Sequence, residues 1–296
     1  MSLQPVNLNH LLDSIPQKKE DIINDLKEFY AGDLTKDQQL TLNTLIDWIV
    51  EFKYIPAQKP SKNISEKPLD EQVLPLLKKW LSNYINSLKN PLANRKAKPL
   101  SEKDIVKDPA LGYMLSLYYE IVSGRPVEGE DIEQALQAHQ ILMAIEYVQG
   151  NFLEGYIASV ICKDPYNFIW CDGQTLKAAD FCKRIVGEGG QPELKLIQVK
   201  NKHNTENSSS KTVRNNTTIE YWFRLGKRTG KNKNNIPVYK WDKLSKMVED
   251  ITGHNPKLNE EDYIGFLKDI ISKNPYVLYN QKGKGRFINK NLGSFE

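Results

Sequence analysis

The hydrophobic period of this chain changes near residue 161, and that change limits the fold more than any other feature. Before it, apolar residues recur at helical spacing. Ile22, Leu26 and Phe29 stand at i, i+4 and i+7. Leu42, Leu45, Ile46, Ile49 and Val50 repeat the habit, as do Leu74, Leu77, Trp80, Leu81 and Ile85. Leu111 to Val122 reads as a further helix. A long amphipathic helix is expected from Asp131 to Val160, burying Leu136, Met143, Val148, Leu153, Ile157 and Val160. Gly150 and Gly155 within it allow a kink or the close approach of another backbone. The aperiodic, Pro/Lys-containing stretches 56–68 and 90–98 read as loops.

After the long helix come short runs of β-forming residues. Asn167 to Cys171 is expected as a strand, Asp172-Gly173 as a hairpin turn and Leu176 to Phe181 as the return strand. Gly187 to Pro192 reads as a second turn, and Leu194 to Val199 alternates as a third strand does. Three helical patterns follow. Thr217 to Glu220 has capping-box spacing ahead of Tyr221-Trp222-Phe223, which puts Ile219, Trp222 and Phe223 in a core. Leu244, Met247, Val248 and Ile251 form a stripe closed by Gly253, and Asn259 caps a helix carrying Tyr263, Phe266, Leu267 and Ile270. The expected fold is α/β, of the α+β kind: a short mixed sheet flanked by helices, with a helical N-terminal subdomain over residues 1–125 and a second domain over 126–296.

Charge narrows the function. The chain of 296 residues carries a net +4, but residues 1–150 hold 17 basic and 21 acidic side chains while residues 151–296 hold 24 and 16. Between Lys195 and Asp250 the count is 13 basic to 5 acidic. A basic half joined to an acidic half points to a polyanionic partner. No run of eighteen apolar residues occurs, and the N-terminus lacks a basic run followed by an apolar core, so neither a membrane span nor a signal peptide is expected. The three cysteines (Cys162, Cys171 and Cys182) and 4 histidines give neither a disulfide framework nor a zinc pattern. They fit a cytoplasmic protein, with the thiols as small apolar fillers.

The residues that carry chemistry are Asp180, Gln198 and Lys200. Positions i and i+2 of a strand project to one side, so Gln198 and Lys200 share a face, and a neighbouring strand can set Asp180 beside them. A carboxylate, an amide oxygen and an ammonium on one face can hold a hard cation and leave a positive group for the substrate. Mg²⁺ suits such oxygen donors, with a phosphodiester as the substrate.

This arrangement resembles the PD-(D/E)xK nucleases, in which an acid on one strand precedes an acid-x-Lys triplet on the next. The sequence departs from the pattern twice: Ala179 stands where the family often has proline, and Gln198 replaces the first acid of the triplet. Many members add a glutamate from the preceding helix, and the resemblance assigns that part to Glu154. Three further segments look like the SinI/AvaII-type family of type II restriction endonucleases, over roughly residues 130–230. They are Gln149-Gly-Asn-Phe-Leu-Glu-Gly-Tyr-Ile-Ala158, the stretch from Trp170 to Phe181, and the run from Gln198 through Glu206-Asn-Ser-Ser-Ser-Lys211 to Arg224. The resemblance implies a restriction-endonuclease-like core and Mg²⁺-dependent cleavage of double-stranded DNA at the near-palindrome GGWCC. It also implies 5′ overhangs, a homodimer, and a DNA methyltransferase in the same system.

The side chains downstream agree in kind. Asn pairs well with adenine, Arg and Lys with guanine, and Ser with phosphates among other groups. Lys202, Asn204, Asn207, Ser208, Ser209, Ser210, Lys211 and Arg214 are therefore expected at DNA, with Arg224, Lys227 and Arg228 on phosphates. Two alternatives stay open at this level. One is a structure-directed repair or recombination nuclease of the same fold, and the other is a nucleic-acid-binding protein without catalysis.

Overall fold

The computed structural model describes residues 4–89, 109–124, 129–171, 175–176, 178–187, 189–201, 218–226 and 237–273. The chain divides into two compact units, Met1–Asn94 with Phe152–Phe266 and Arg95–Asn151 with Leu267–Glu296.

The first unit begins with α1 (Leu8–Asp13), α2 (Pro16–Ala31), α3 (Lys36–Glu51), the single turn α4 (Lys62–Ser65) and α5 (Leu69–Lys89). Each start has a local cause. Pro16 opens α2 with its φ already helical, and Thr35 and Gln38 close a reciprocal capping box on α3. Leu8, Leu12, Leu26, Leu42, Leu45, Ile46, Ile49, Val73, Leu76 and Leu77 are buried among these helices. Each contributes about 1.5–3 kcal/mol of hydrophobic burial. One expected stripe member departs: Phe29 is exposed under the Lys78 ammonium, and Tyr30 takes the buried place, donating its hydroxyl to Lys78 O.

The second unit holds α6 (Pro109–Ser123), where Gly112 lies against Ile132, and residues 129–151 of α7 (Gly129–Ile161). The rest of α7 lies in the first unit, where Phe152, Leu153, Tyr156 and Ile157 are buried. The expected burial of Leu136, Val148, Leu153 and Ile157 holds, but Val160 is only half-buried; the side chain of Met143 lies outside the described ones.

Four strands make one sheet in the order β1 (Ile169–Trp170), β2 (Phe181–Val186), β3 (Pro192–Lys200), β4 (Ile219–Phe223). β1–β2 and β2–β3 are antiparallel and β3–β4 is parallel, so the sheet is mixed as expected. The β2–β3 turn uses Gly189 and Gly190 at φ +95° and +78°, values that a side chain would strain.

Two expectations need correction. The return strand was placed at Leu176 to Phe181, but β2 starts at Phe181. Ala179 N–H bonds back to Leu176 O and Ala178 sits at φ +66°, so the chain turns there instead of extending. The segment after Thr217 does not begin a helix: Ile219 to Phe223 is β4, paired in register from Leu196↔Ile219 to Lys200↔Phe223. A vacant edge of β3 and a run of Ile, Tyr, Trp and Phe outweighed the capping-box spacing. Trp222 is still core, as expected, but from a strand.

The sheet's two faces meet different partners. Ile169, Cys182, Leu194, Leu196 and Ile219 join the core built by α1–α5. On the other face Phe181, Ile197, Val199 and Trp222 are buried, and Trp222 packs on Trp241 of α8 (Trp241–Thr252) with ring centroids 5.0 Å apart. Trp241 also meets Tyr156 of α7 and Tyr263 of α9 (Glu260–Lys273). The expected ends hold here: Gly253 closes α8 at φ +76°, and Asn259 Oδ1 accepts from Asp262 N–H at the start of α9.

Candidate active site

The polar end of the sheet lies where β2 begins and β3 ends. The β2–β3 pairing ends at Phe181↔Ile197, with Asp180 just before it on one chain segment and Gln198 just after it on the other. Two main-chain bonds, Asp180 N–H to Ile197 O at 2.9 Å and Cys171 N–H to Asp180 O at 2.7 Å, and one to the carboxylate fix this corner. Asp180 Oδ2 accepts from Val199 N–H at 2.7 Å. Val199 stands between Gln198 and Lys200, so this bond brings the carboxylate to the stretch of β3 that carries the other two. A charge-assisted bond of this kind favours the ionised acid.

Asp180 is 6% exposed and Gln198 8% exposed. Gln198 Oε1 is buried and accepts no hydrogen bond. Leaving a buried carbonyl oxygen unmatched costs about 1–3 kcal/mol, and native structures rarely keep one without a reason. A neutral oxygen donor beside a carboxylate is the donor set of a hard divalent cation, and the residues present fit Mg²⁺. Among the described residues, no group of three His, Cys, Asp or Glu side chains gathers for a metal, so such a site depends on the amide oxygen.

Lys200 is half-buried at the end of β3, on the face of Gln198. Glu154 lies on α7, and its Oε2 accepts from Trp170 Nε1 at 3.0 Å. Trp170 pairs with Phe181 and stacks on it at 6.5 Å, one residue from Asp180. The structure thus brings Asp180, Gln198 and Lys200 to one end of β3, whereas Glu154 is held by Trp170, which stacks on Phe181 on the opposite face of the sheet from Gln198.

Burial keeps the nearby thiols protonated. It pushes Cys171 well above the usual range and Cys162 up to about 12, so neither offers a thiolate at neutral pH.

Of the expected DNA contacts, Lys202, Asn204, Asn207, Ser208, Ser209, Ser210, Lys211, Arg214, Lys227 and Arg228 lie outside the described residues. Arg224 is described, and it faces inward. It is 6% exposed, donates Nε–H to Asn201 Oδ1 at 2.8 Å, and ion-pairs through Nη1 with Glu260 Oε1. Glu260 Oε2 accepts from Trp241 Nε1 at 2.8 Å. Sequence reasoning missed Glu260 and Trp241 as polar partners; an acidic residue just after the Asn259 cap was the only trace.

It also missed the support from α5. Trp80 Nε1 donates to Thr175 O at 2.9 Å and Tyr84 OH donates to Trp170 O at 3.1 Å, gripping the chain that leads to Asp180. Arg184 of β2 pairs with both Glu51 oxygens at 2.8 and 2.9 Å. The N-terminal helices therefore brace the corner that carries Asp180.

Comparison with known proteins identifies the family. Residues 82–273 match the SinI restriction endonuclease family. The type II restriction enzyme Eco47I of Escherichia coli is 31% identical over 230 residues, covering 77% of this chain and 85% of that protein. The type II restriction enzyme SinI of Salmonella infantis is 31% identical over 215 residues, covering 67% of this chain and 86% of that protein. The family match covers the Asp180–Lys200 corner and the last turns of α5, and the chain belongs to the SinI restriction endonuclease family of type II restriction enzymes.

Proposed function

We propose that this enzyme hydrolyses phosphodiester bonds in double-stranded DNA at GGWCC, with Mg²⁺, leaving 5′ overhangs. The observation that supports the metal-dependent reading best is the buried, unmatched Gln198 Oε1 at the corner where the Asp180 carboxylate meets Val199 N–H. The site sequence rests on the family resemblance. Among the described residues no helix is long and apolar enough to cross a membrane, and we assign the protein to the cytoplasm, where invading DNA is met.

Asp180, Gln198 and Glu154 are the residues that would hold Mg²⁺, which when bound supplies Lewis acidity at the scissile phosphate. Asp180 brings the negative charge, and the Val199 N–H fixes its carboxylate. Gln198 adds a neutral oxygen, which makes the carboxylate of Glu154 the more valuable. The indole of Trp170 orients that carboxylate. Lys200 places its ammonium on the developing phosphoryl charge, where a preorganised cation counts most.

Lys202, Asn204, Asn207, Ser208, Ser209, Ser210, Lys211 and Arg214 read or clamp the duplex, and Lys227 and Arg228 meet phosphates. A near-palindrome calls for two symmetric readers, hence a homodimer, and a methyltransferase of matching specificity protects the host's own sites.

The test is digestion of a plasmid of known sequence with purified protein and Mg²⁺. Discrete fragments whose 5′-overhanging ends map to GGWCC, abolished by a chelator, are expected. Smearing would indicate structure-directed cleavage, and intact plasmid would contradict the reading.

A further inference from the structure

The geometry points to Arg224 as a positioning residue that holds the catalytic end of β3. This rests on the proposed function, because it assigns a task within that reaction. β3 and β4 run parallel and end side by side, with Lys200 paired to Phe223. At that end Arg224 N–H donates to Lys200 O at 2.9 Å and Leu225 N–H donates to Asn201 O at 2.9 Å. The Arg224 side chain then turns back to Asn201 Oδ1. One residue thus grips Lys200 by main chain and Asn201 by side chain.

The grip is anchored from behind. Glu260 at the start of α9 takes the guanidinium with one carboxylate oxygen and the Trp241 indole with the other. The Tyr239 and Tyr263 rings lie 5.4 and 5.2 Å from the guanidinium carbon. A guanidinium can do this because its fork presents donors from separate nitrogens in one plane, whereas a lysine ammonium presents all of its donors from a single point. With the charge committed to Glu260, Arg224 is poorly placed to neutralise a phosphate.

Gly226 N–H donates to Val238 O at 2.8 Å, and Lys240 N–H returns to Arg224 O at 2.9 Å. Arg224 thus ties Asn201 and Lys240 to the backbone of Lys200.

The experiment compares wild type with Arg224→Ala, Arg224→Lys, Asn201→Ala and the Arg224→Ala/Asn201→Ala double variant. Each is measured for single-turnover cleavage at saturating DNA and Mg²⁺, and for affinity and salt dependence on cognate and scrambled duplexes in Ca²⁺. Misplacement by about an ångström costs on the order of 10²-fold in rate, so Arg224→Ala should cut about a hundredfold more slowly. Asn201→Ala should lose roughly tenfold, and Arg224→Lys should fall between Arg224→Ala and wild type. The double variant should be no slower than Arg224→Ala, because both act through one contact. Cognate affinity and the salt slope should stay as in wild type. If Arg224→Ala does not fold, Asn201→Ala alone decides, since it leaves the Arg224–Glu260 pair in place.

Wild-type cleavage rates in the variants would overturn the inference while leaving the nuclease reading standing. So would a loss of affinity with a shallower salt slope, which would make Arg224 a phosphate contact. Failure of the wild type itself to cut would overturn the proposed function, and this inference with it.

Discussion

Two buried polar groups lie near the same end of the sheet and are treated in opposite ways. Around Arg224 the charge is matched: Glu260 pairs with the guanidinium, Asn201 accepts its Nε–H, and Trp241 takes the remaining carboxylate oxygen. Around Gln198 the matching is incomplete, because Oε1 is buried without a hydrogen-bond donor. A matched buried charge holds structure in place. In the proposed reading the unmatched oxygen is a metal ligand, and the fold bears its cost.

Substitutions should separate the two. Replacing Arg224 with methionine leaves the Glu260 carboxylate buried without its partner, and should cost about 3–5 kcal/mol of stability in denaturant unfolding. An unfolding midpoint at the wild-type value would show that the pair is not worth its burial. Lys200→Ala should lower single-turnover cleavage by about 10²–10³-fold while cognate binding persists, since its ammonium acts on charge that develops during the reaction. Parallel loss of affinity would make it a binding group instead.

Gln198→Met should act in the opposite sense to Arg224→Met. It removes the unmatched oxygen at similar length, so stability in the absence of metal should rise by about 1–3 kcal/mol while cleavage is lost. A destabilised Gln198→Met would mean that the amide has a structural partner. The smallest effect belongs to the exposed Glu51–Arg184 pair. The Arg184 hydrogen bonds hold Glu51 below its usual carboxylate range. Its stabilisation is present above the unfolded-state value and fades as pH falls through the lowered folded-state value. Glu51→Gln should remove only that small acid-side component of the stability curve, leaving the neutral-pH midpoint nearly unchanged.

The corner was legible because strand alternation is a local rule. Gln198-Val-Lys200 declares a shared face wherever it lies in a sheet, and the Gly-rich turn before Pro192 announces an antiparallel partner. Position along the chain was harder. Ala178 adopts a positive φ although nothing in its side chain asks for one, so the start of β2 slipped from Leu176 to Phe181. Residues 219–223 were misread for a related reason: their strand depends on the free edge of β3, a partner 23 residues away in sequence that no local pattern reveals. Arg224 counted as one basic residue in a basic run, and only the arrival of Glu260 from α9 shows that its charge is spent inside the protein. The bracing by Trp80 and Tyr84 was equally hidden, since both side chains spend their polar atoms on distant main-chain carbonyls.

In the proposed reading the Asp180 corner holds the ion that cutting requires, and Asp180→Asn tests this most directly. The amide oxygen of asparagine can still accept from Val199 N–H, so the backbone contact survives and only the negative charge is removed. Single-turnover cleavage of a GGWCC duplex in Mg²⁺ should fall by at least about 10³-fold, a loss of several kcal/mol of transition-state stabilisation. Thermal stability and cognate binding should stay close to wild type. Cleavage within tenfold of the wild-type rate by the folded Asp180→Asn protein would place the reaction elsewhere in the molecule.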